Sequence, residues 1–181
     1  MPTKVYFYDE SDWIDSLQAA GRFEGDDDVL TVPISGGVEQ LLRELKRLVA
    51  EKRRFNRAVF QTHGSPGTIY FGDDPINKTV WKGSFAGFNF ERLFPGTSRI
   101  YFDGCNVAEG GAGTDFLLNA GYIFLAAGGG DVIGWKNLGF GVPGLLPGIG
   151  GHTIHLGGGS NLKRIRFYKG GTPNWPGSHV S

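Results

Sequence analysis

The chain has a single cysteine, Cys105, a single methionine and four histidines in 181 residues. One cysteine excludes an intramolecular disulfide and any cysteine-rich metal site, and it points to a reducing, cytoplasmic setting. A surplus of charge is missing too: 18 basic and 18 acidic residues cancel, with no long run of one sign. That excludes a nucleic-acid-binding arm and an acidic tail. The start, Met1 to Glu10, lacks the long apolar core and small-residue cleavage site of a signal peptide. The least charged region, 137–162, holds no Asp, Glu, Lys or Arg but is broken by Pro143, Pro147 and repeated glycines, so no membrane-spanning helix is expected there. It reads as a long loop packed over the sheet or beside a site, with a self-inhibiting or membrane-touching segment as the less favoured alternative.

Glycine is abundant instead, with 31 residues concentrated after position 104, while charged helix formers cluster in the first half. The length suits one domain, 1–181. Lys4 to Tyr8 and Val29 to Ile34 read as strands, and Ser11 as the N-cap of a helix that stops near Gly21. Asp26, Asp27 and Asp28 form a solvated turn, since no calcium-loop spacing follows. From Gly37 to Phe55 the residues Val38, Leu41, Leu42, Leu45, Leu48 and Val49 fall at helical spacing. The basic end of that helix, Lys52 to Arg54, is read as complementing the helix dipole and not as a binding patch. Arg57 to Gln61 is the third strand. The segment after His63 predicts a small hairpin outside the main sheet, and Phe85 to Phe94 a short helix. Ser98 to Phe102 is the fourth strand, Gly113 to Ala120 a helix ended by Gly121, Tyr122 to Ala127 a fifth, nearly all-apolar strand, and Lys163 to Lys169 an exposed edge strand. Strands alternating with helices in this order predict an α/β fold: a layered sandwich with a mostly parallel central sheet, helices on both faces and a small accessory hairpin.

In such a sheet ligands collect beyond the carboxyl ends of the strands. Two strands end there in reactive side chains beside glycine: Arg57 to Gln61 leads through Thr62 to His63-Gly64, and Ser98 to Phe102 leads through Asp103 to Gly104-Cys105. If these strands are neighbours, an imidazole and a thiol face one crevice, where a thiolate attacks a carbonyl and the imidazole supplies a proton to the leaving amine. Gly64 and Gly104 leave room for the carbonyl, and the backbone N–H groups of Gly64 and Cys105 become candidate donors to the oxyanion. The competing reading is a small buried cysteine and a turn histidine.

The blocks Val59-Phe60-Gln61-Thr62-His63-Gly64 and Ile100-Tyr101-Phe102-Asp103-Gly104-Cys105 resemble the two catalytic blocks of the caspase-like cysteine peptidase superfamily, over roughly Lys4 to Leu125 in element order. In that group a histidine followed by glycine ends one hydrophobic strand and a cysteine after a small residue ends the next. The resemblance implies a caspase-like fold with His63 as general acid/base, Cys105 as nucleophile and Gly64 as an oxyanion-hole donor. The continuation Asn106-Val107-Ala108-Glu109-Gly110 differs from that of caspases and metacaspases and is nearer to bacterial CHAT-like domains. Caspase-type aspartate specificity is therefore not implied. By likeness to metacaspase-like members, Asp103 helps shape a pocket for a basic residue; the alternative at Asp103 is a carboxylate capping backbone N–H groups. Asp131 is a second candidate for the pocket floor, and Trp135 for its wall, with core packing as the plainer role for Trp135.

His152 and His155 have metal-ligand spacing but no third ligand nearby, and are read as loop histidines, so no metal and no cofactor are expected. No serine shows a nucleophile elbow and no glycine cluster carries a phosphate-loop lysine. The expected activity is a cysteine endopeptidase acting on peptide or protein substrates, with cleavage after Arg or Lys; a regulatory protein partner is compatible with it. The alternative is a catalytically silent caspase-like recognition or scaffold domain.

Overall fold

The computed structural model describes residues 2–12, 27–142, 152–155 and 161–170, and for 139–142 and 152–155 it describes the backbone alone. Its centre is a six-stranded sheet of β1 (Lys4–Asp9), β2 (Val29–Ile34), β3 (Arg57–Gln61), β7 (Ser98–Asp103), β8 (Gly130–Trp135) and β11 (Leu162–Phe167), in the order β11-β8-β7-β3-β1-β2. All neighbours are parallel except β11, which runs antiparallel at one edge. The α/β class and the mostly parallel sheet agree with the sequence pattern. So does a second, three-stranded antiparallel sheet of β4 (His63–Ser65), β5 (Thr68–Phe71) and β6 (Asp74–Asn77). Its first turn is Ser65-Pro66-Gly67-Thr68, with Gly67 at φ 74°, the combination a type II turn requires.

Alternation along the strands sets one face against the helices. Val5, Phe7, Ala58, Phe60, Ile100, Phe102 and Val132 join one hydrophobic cluster with Leu41, Leu45 and Leu48 of α1 (Gly37–Ala50), Trp81 of α2 (Lys78–Gly83), and Phe116, Leu117 and Phe124 of α3 (Gly110–Phe124). Phe7, Phe60 and Phe102 stand in lateral register on β1, β3 and β7, their ring centroids 4.8 and 5.0 Å apart. Each such burial contributes about 1.5–3 kcal/mol, so this row anchors the sheet centre. α2 packs directly on α3, the 3-10 turn Phe90–Leu93 bridges α1 and α3, and these helices lie on this one face. The helix expected after Ser11 falls mostly outside the described residues, as does any helix on the opposite face.

Four expectations need correction. Gly121 does not end α3, which continues to Phe124; a Cβ on Gly121 would meet the Phe167 ring at 2.0 Å, so the glycine marks close packing against β11, not a stop. Tyr122 to Ala127 is accordingly the last turn of α3 and its exit, and the fifth parallel strand is Gly130–Trp135. Its glycines hid it: a Cβ on Gly130 would lie 2.0 Å from the Ser98 carbonyl oxygen, and one on Gly134 3.0 Å from Val107. Within Phe85 to Phe94 only the 3-10 turn is helical. Finally, the glycine-rich region contains β9 (Gly139–Val142) paired antiparallel with β10 (His152–His155), so His152 and His155 lie on a strand and not in a loop. Among the described residues no helix is long and apolar enough to cross a membrane.

Candidate active site

β3 and β7 are direct parallel neighbours, with Gln61 opposite Asp103 at their carboxyl ends. The segments 62–64 and 104–105 therefore leave the sheet side by side. Their backbones touch: a Cβ on Gly64 would lie 2.6 Å from the Cys105 carbonyl oxygen and 2.9 Å from its nitrogen, and one on Gly104 3.2 Å from the Gly64 Cα. Only glycine permits this approach. The two-residue turn makes Ser65 and Thr68 a hydrogen-bonded pair, so alternation leaves Gly64 opposite Ile69 in a non-bonded pair, its N–H turned away from β5. Cys105 forms no disulfide and is partly exposed.

His63 opens β4, with its side chain 68% exposed. Its ring Nε2 lies 2.6 Å from Oδ2 of Asp12. A carboxylate only accepts, so the contact places the proton on Nε2 and leaves the lone pair of the neutral ring on Nδ1. Asp12 is the residue the sequence reading missed, having been assigned to the first turn of a helix. The signal lies in topology. β1 pairs with β3 on one side and β2 on the other, and the winding of the chain reverses there, so residues just beyond β1 and β3 meet at the switch point. Buried Asp9 fixes this end of β1: its carboxylate accepts from Ser11 N at 3.0 Å, Ser11 Oγ at 2.5 Å and Gly72 N at 2.8 Å, tying the turn that carries Asp12 to the end of β5. Ser11 thus bonds back to Asp9.

Next along the sheet, Trp135 ends β8, and its indole Nε1 donates to Asp103 Oδ1 at 3.1 Å. Asp103 and Trp135 are therefore together, on the β8 side of Cys105. The loop after Cys105 is strapped in place by Asn106 N donating to the Asn137 carbonyl at 2.9 Å, Ala108 N to the Trp135 carbonyl at 2.8 Å, and Gly67 N to the Val107 carbonyl at 3.0 Å. Asn106, directly after the cysteine, sits at φ 54°, a left-handed conformation that asparagine tolerates better than most residues. Shortly beyond it α3 begins at Gly110.

Asp131 does not belong to this group. It lies near the amino end of β8, opposite Arg99 at the start of β7, and alternation turns it to the sheet face away from the helices. There it is buried and held by Arg166, whose Nε and Nη2 donate to its two oxygens at 2.8 and 3.1 Å, with Arg99 and Arg164 at 4.0 and 3.9 Å. These contacts hold the Arg166 guanidinium above its usual pKa. Asp131 is a structural ion-pair acceptor at the far end of the sheet, not the floor of a pocket beside Cys105. Among the described residues no group of three His, Cys, Asp or Glu side chains converges as a metal ion would need.

Comparison with family models, with curated proteins and with solved structures finds no match to this chain.

Proposed function

We propose that this protein is a caspase-like cysteine endopeptidase, with Cys105 as nucleophile, His63 as general acid/base and Gly64 with Cys105 as oxyanion donors. The observation that carries the reading is the backbone contact between Gly64 and Cys105, which sets the histidine-bearing and cysteine-bearing strand ends side by side. In the reaction the Cys105 thiolate attacks the scissile carbonyl carbon. The C–N bond then breaks as the His63 imidazolium gives its proton to the leaving amine, and a thioester remains. Water, deprotonated by His63, attacks the thioester, and the acid departs as the sulfur leaves. Asp12 is a positioning residue that orients the ring. Asp103, braced by Trp135, supplies the carboxylate for an Arg or Lys side chain before the scissile bond.

The test is hydrolysis of fluorogenic peptides carrying Arg, Lys, Asp or Leu before the reporter. The Arg and Lys peptides are expected to be cleaved, Cys105→Ala to abolish cleavage, and His63→Ala to slow it roughly 10²–10⁴-fold. No cleavage of any peptide by the folded, reduced protein would leave a catalytically silent recognition or scaffold domain as the better account.

A further inference from the structure

At the opposite end of the molecule from Cys105 lies a cavity of about 600 Å³ whose walls carry Lys52, Arg53, Arg54, Arg92 and Lys169 against one carboxylate, Glu91. The whole chain has no net charge, so this is a pronounced local concentration. The sequence pattern assigns Lys52 to Arg54 to the dipole at the end of α1, and the structure gives that task to another residue. The helix stops at Ala50, and the basic residue of its last turn is Arg47, which pairs with Glu44 at 2.8 Å and Glu51 at 2.6 Å. Lys52 to Arg54 lie beyond the helix, Lys52 in the left-handed region at φ 56°. Arg92 comes from the 3-10 turn and Lys169 from the segment after β11, so three separate parts of the chain bring cations to one hollow.

Among the described residues none of the five has a carboxylate within 4.0 Å, although Glu91 lines the same walls. Arg53 has its Nη2 enclosed without a hydrogen-bond acceptor, its guanidinium carbon 5.6 Å from the centre of the Phe55 ring. An enclosed guanidinium nitrogen without an acceptor is costly, and like charges around a concave surface repel one another. A multiply charged oxyanion relieves both, since guanidinium forks match its oxygens. Pro95, Gly96, Ala127 and Gly128 keep the remaining wall low.

We infer that this cavity is a binding site for a compact, multiply charged phosphate compound. Its volume is that of a small-molecule pocket, and the cations ring a hollow instead of forming a stripe along which a polymer would track. The site stands apart from the peptidase reading and does not depend on it.

The probe is tripolyphosphate, titrated into the full chain by calorimetry and by thermal unfolding at constant ionic strength. Saturable binding with a rise in Tm is expected, beyond any effect of sodium chloride at matched ionic strength. Arg92 and Lys169 are exposed, so Arg92→Glu and Lys169→Glu are expected to keep the fold, each weakening binding at least tenfold. Arg43→Glu, exposed on α1 and outside the cavity, serves as the charge control and is expected to leave binding within about twofold. Absence of binding, an equal loss in the control, or unchanged affinity in both cavity variants would overturn the inference. So would tight binding of a single-stranded oligonucleotide by a protein that ignores tripolyphosphate.

Discussion

His63 presents an exposed ring tethered by one short contact, which fixes how much Asp12 contributes. A hydrogen bond to a charged group is worth about 1.5–3 kcal/mol, and solvent screening at a ring this exposed reduces that to about 1 kcal/mol. Asp12→Asn is therefore expected to lower kcat about fivefold while leaving KM nearly unchanged, measured on the basic fluorogenic peptide. A rise in KM at constant kcat would mean that Asp12 contacts substrate and does not position the histidine. Gly64 is constrained more severely. Gly64→Ala drives a methyl group into the Cys105 backbone, and the expected cost is about 3 kcal/mol in urea unfolding, at the top of the overpacking range. Wild-type stability in this variant would show that the two segments do not touch. His63, Cys105, Gly64 and Gly104 were legible in the sequence because strand ends followed by small residues are a local signal. Asp12 was not, because its role depends on which strands pair.

The strands and helix named from alternation and helical spacing appear where the apolar pattern is strongest: β2, β3 and α1 begin where the pattern begins. The errors fall where glycine replaces side chains at contacts made between elements. Gly121 was read as a helix stop because nothing local distinguishes a terminating glycine from one that admits a ring from β11. Two substitutions in α3 separate the roles. Gly121→Ala collides with Phe167 and is expected to destabilise by about 1–3 kcal/mol. Gly111→Ala, with nothing within 4 Å, is expected to stabilise by about 0.5 kcal/mol through lost chain entropy. Thermal unfolding of the pair is the check, and shifts of the same sign would contradict this packing. At the start of β1, Asp28 accepts from Thr3 N and Thr3 Oγ1 and sits 3.2 Å from Lys4 Nζ. Those bonds, the Thr3 backbone bond first, hold its carboxyl below the usual 3.8. Its contribution is therefore present above pH 3.8 and lost as pH falls through its lower, folded-state value. Asp28→Asn is expected to flatten the loss of stability below pH 4 in denaturant titrations, and an unchanged acid limb would show that the contact is not made in solution.

For the whole molecule, the consequential fact is the order of strands. Reversal of the winding between β1 and β3 gathers Asp12, His63 and Cys105 at one end, and the same order places Asp131 and its arginines on the far face at the other. The sequence pattern put the fifth strand at Tyr122 to Ala127, which set Asp131 and Trp135 together beyond its carboxyl end, although β8 carries them near opposite ends and only Trp135 reaches Asp103. The central claim is that Cys105 is a nucleophile working with His63 in a crevice that accepts a basic side chain. Its most direct measurement is covalent labelling by a peptidyl electrophile with Arg at its first position, read by intact mass and peptide mapping. The account predicts one adduct, on Cys105, formed faster than with the matching Asp or Leu electrophile, slowed severely in His63→Ala and absent in Cys105→Ala. No adduct with any of the three electrophiles on the folded, reduced protein would contradict it.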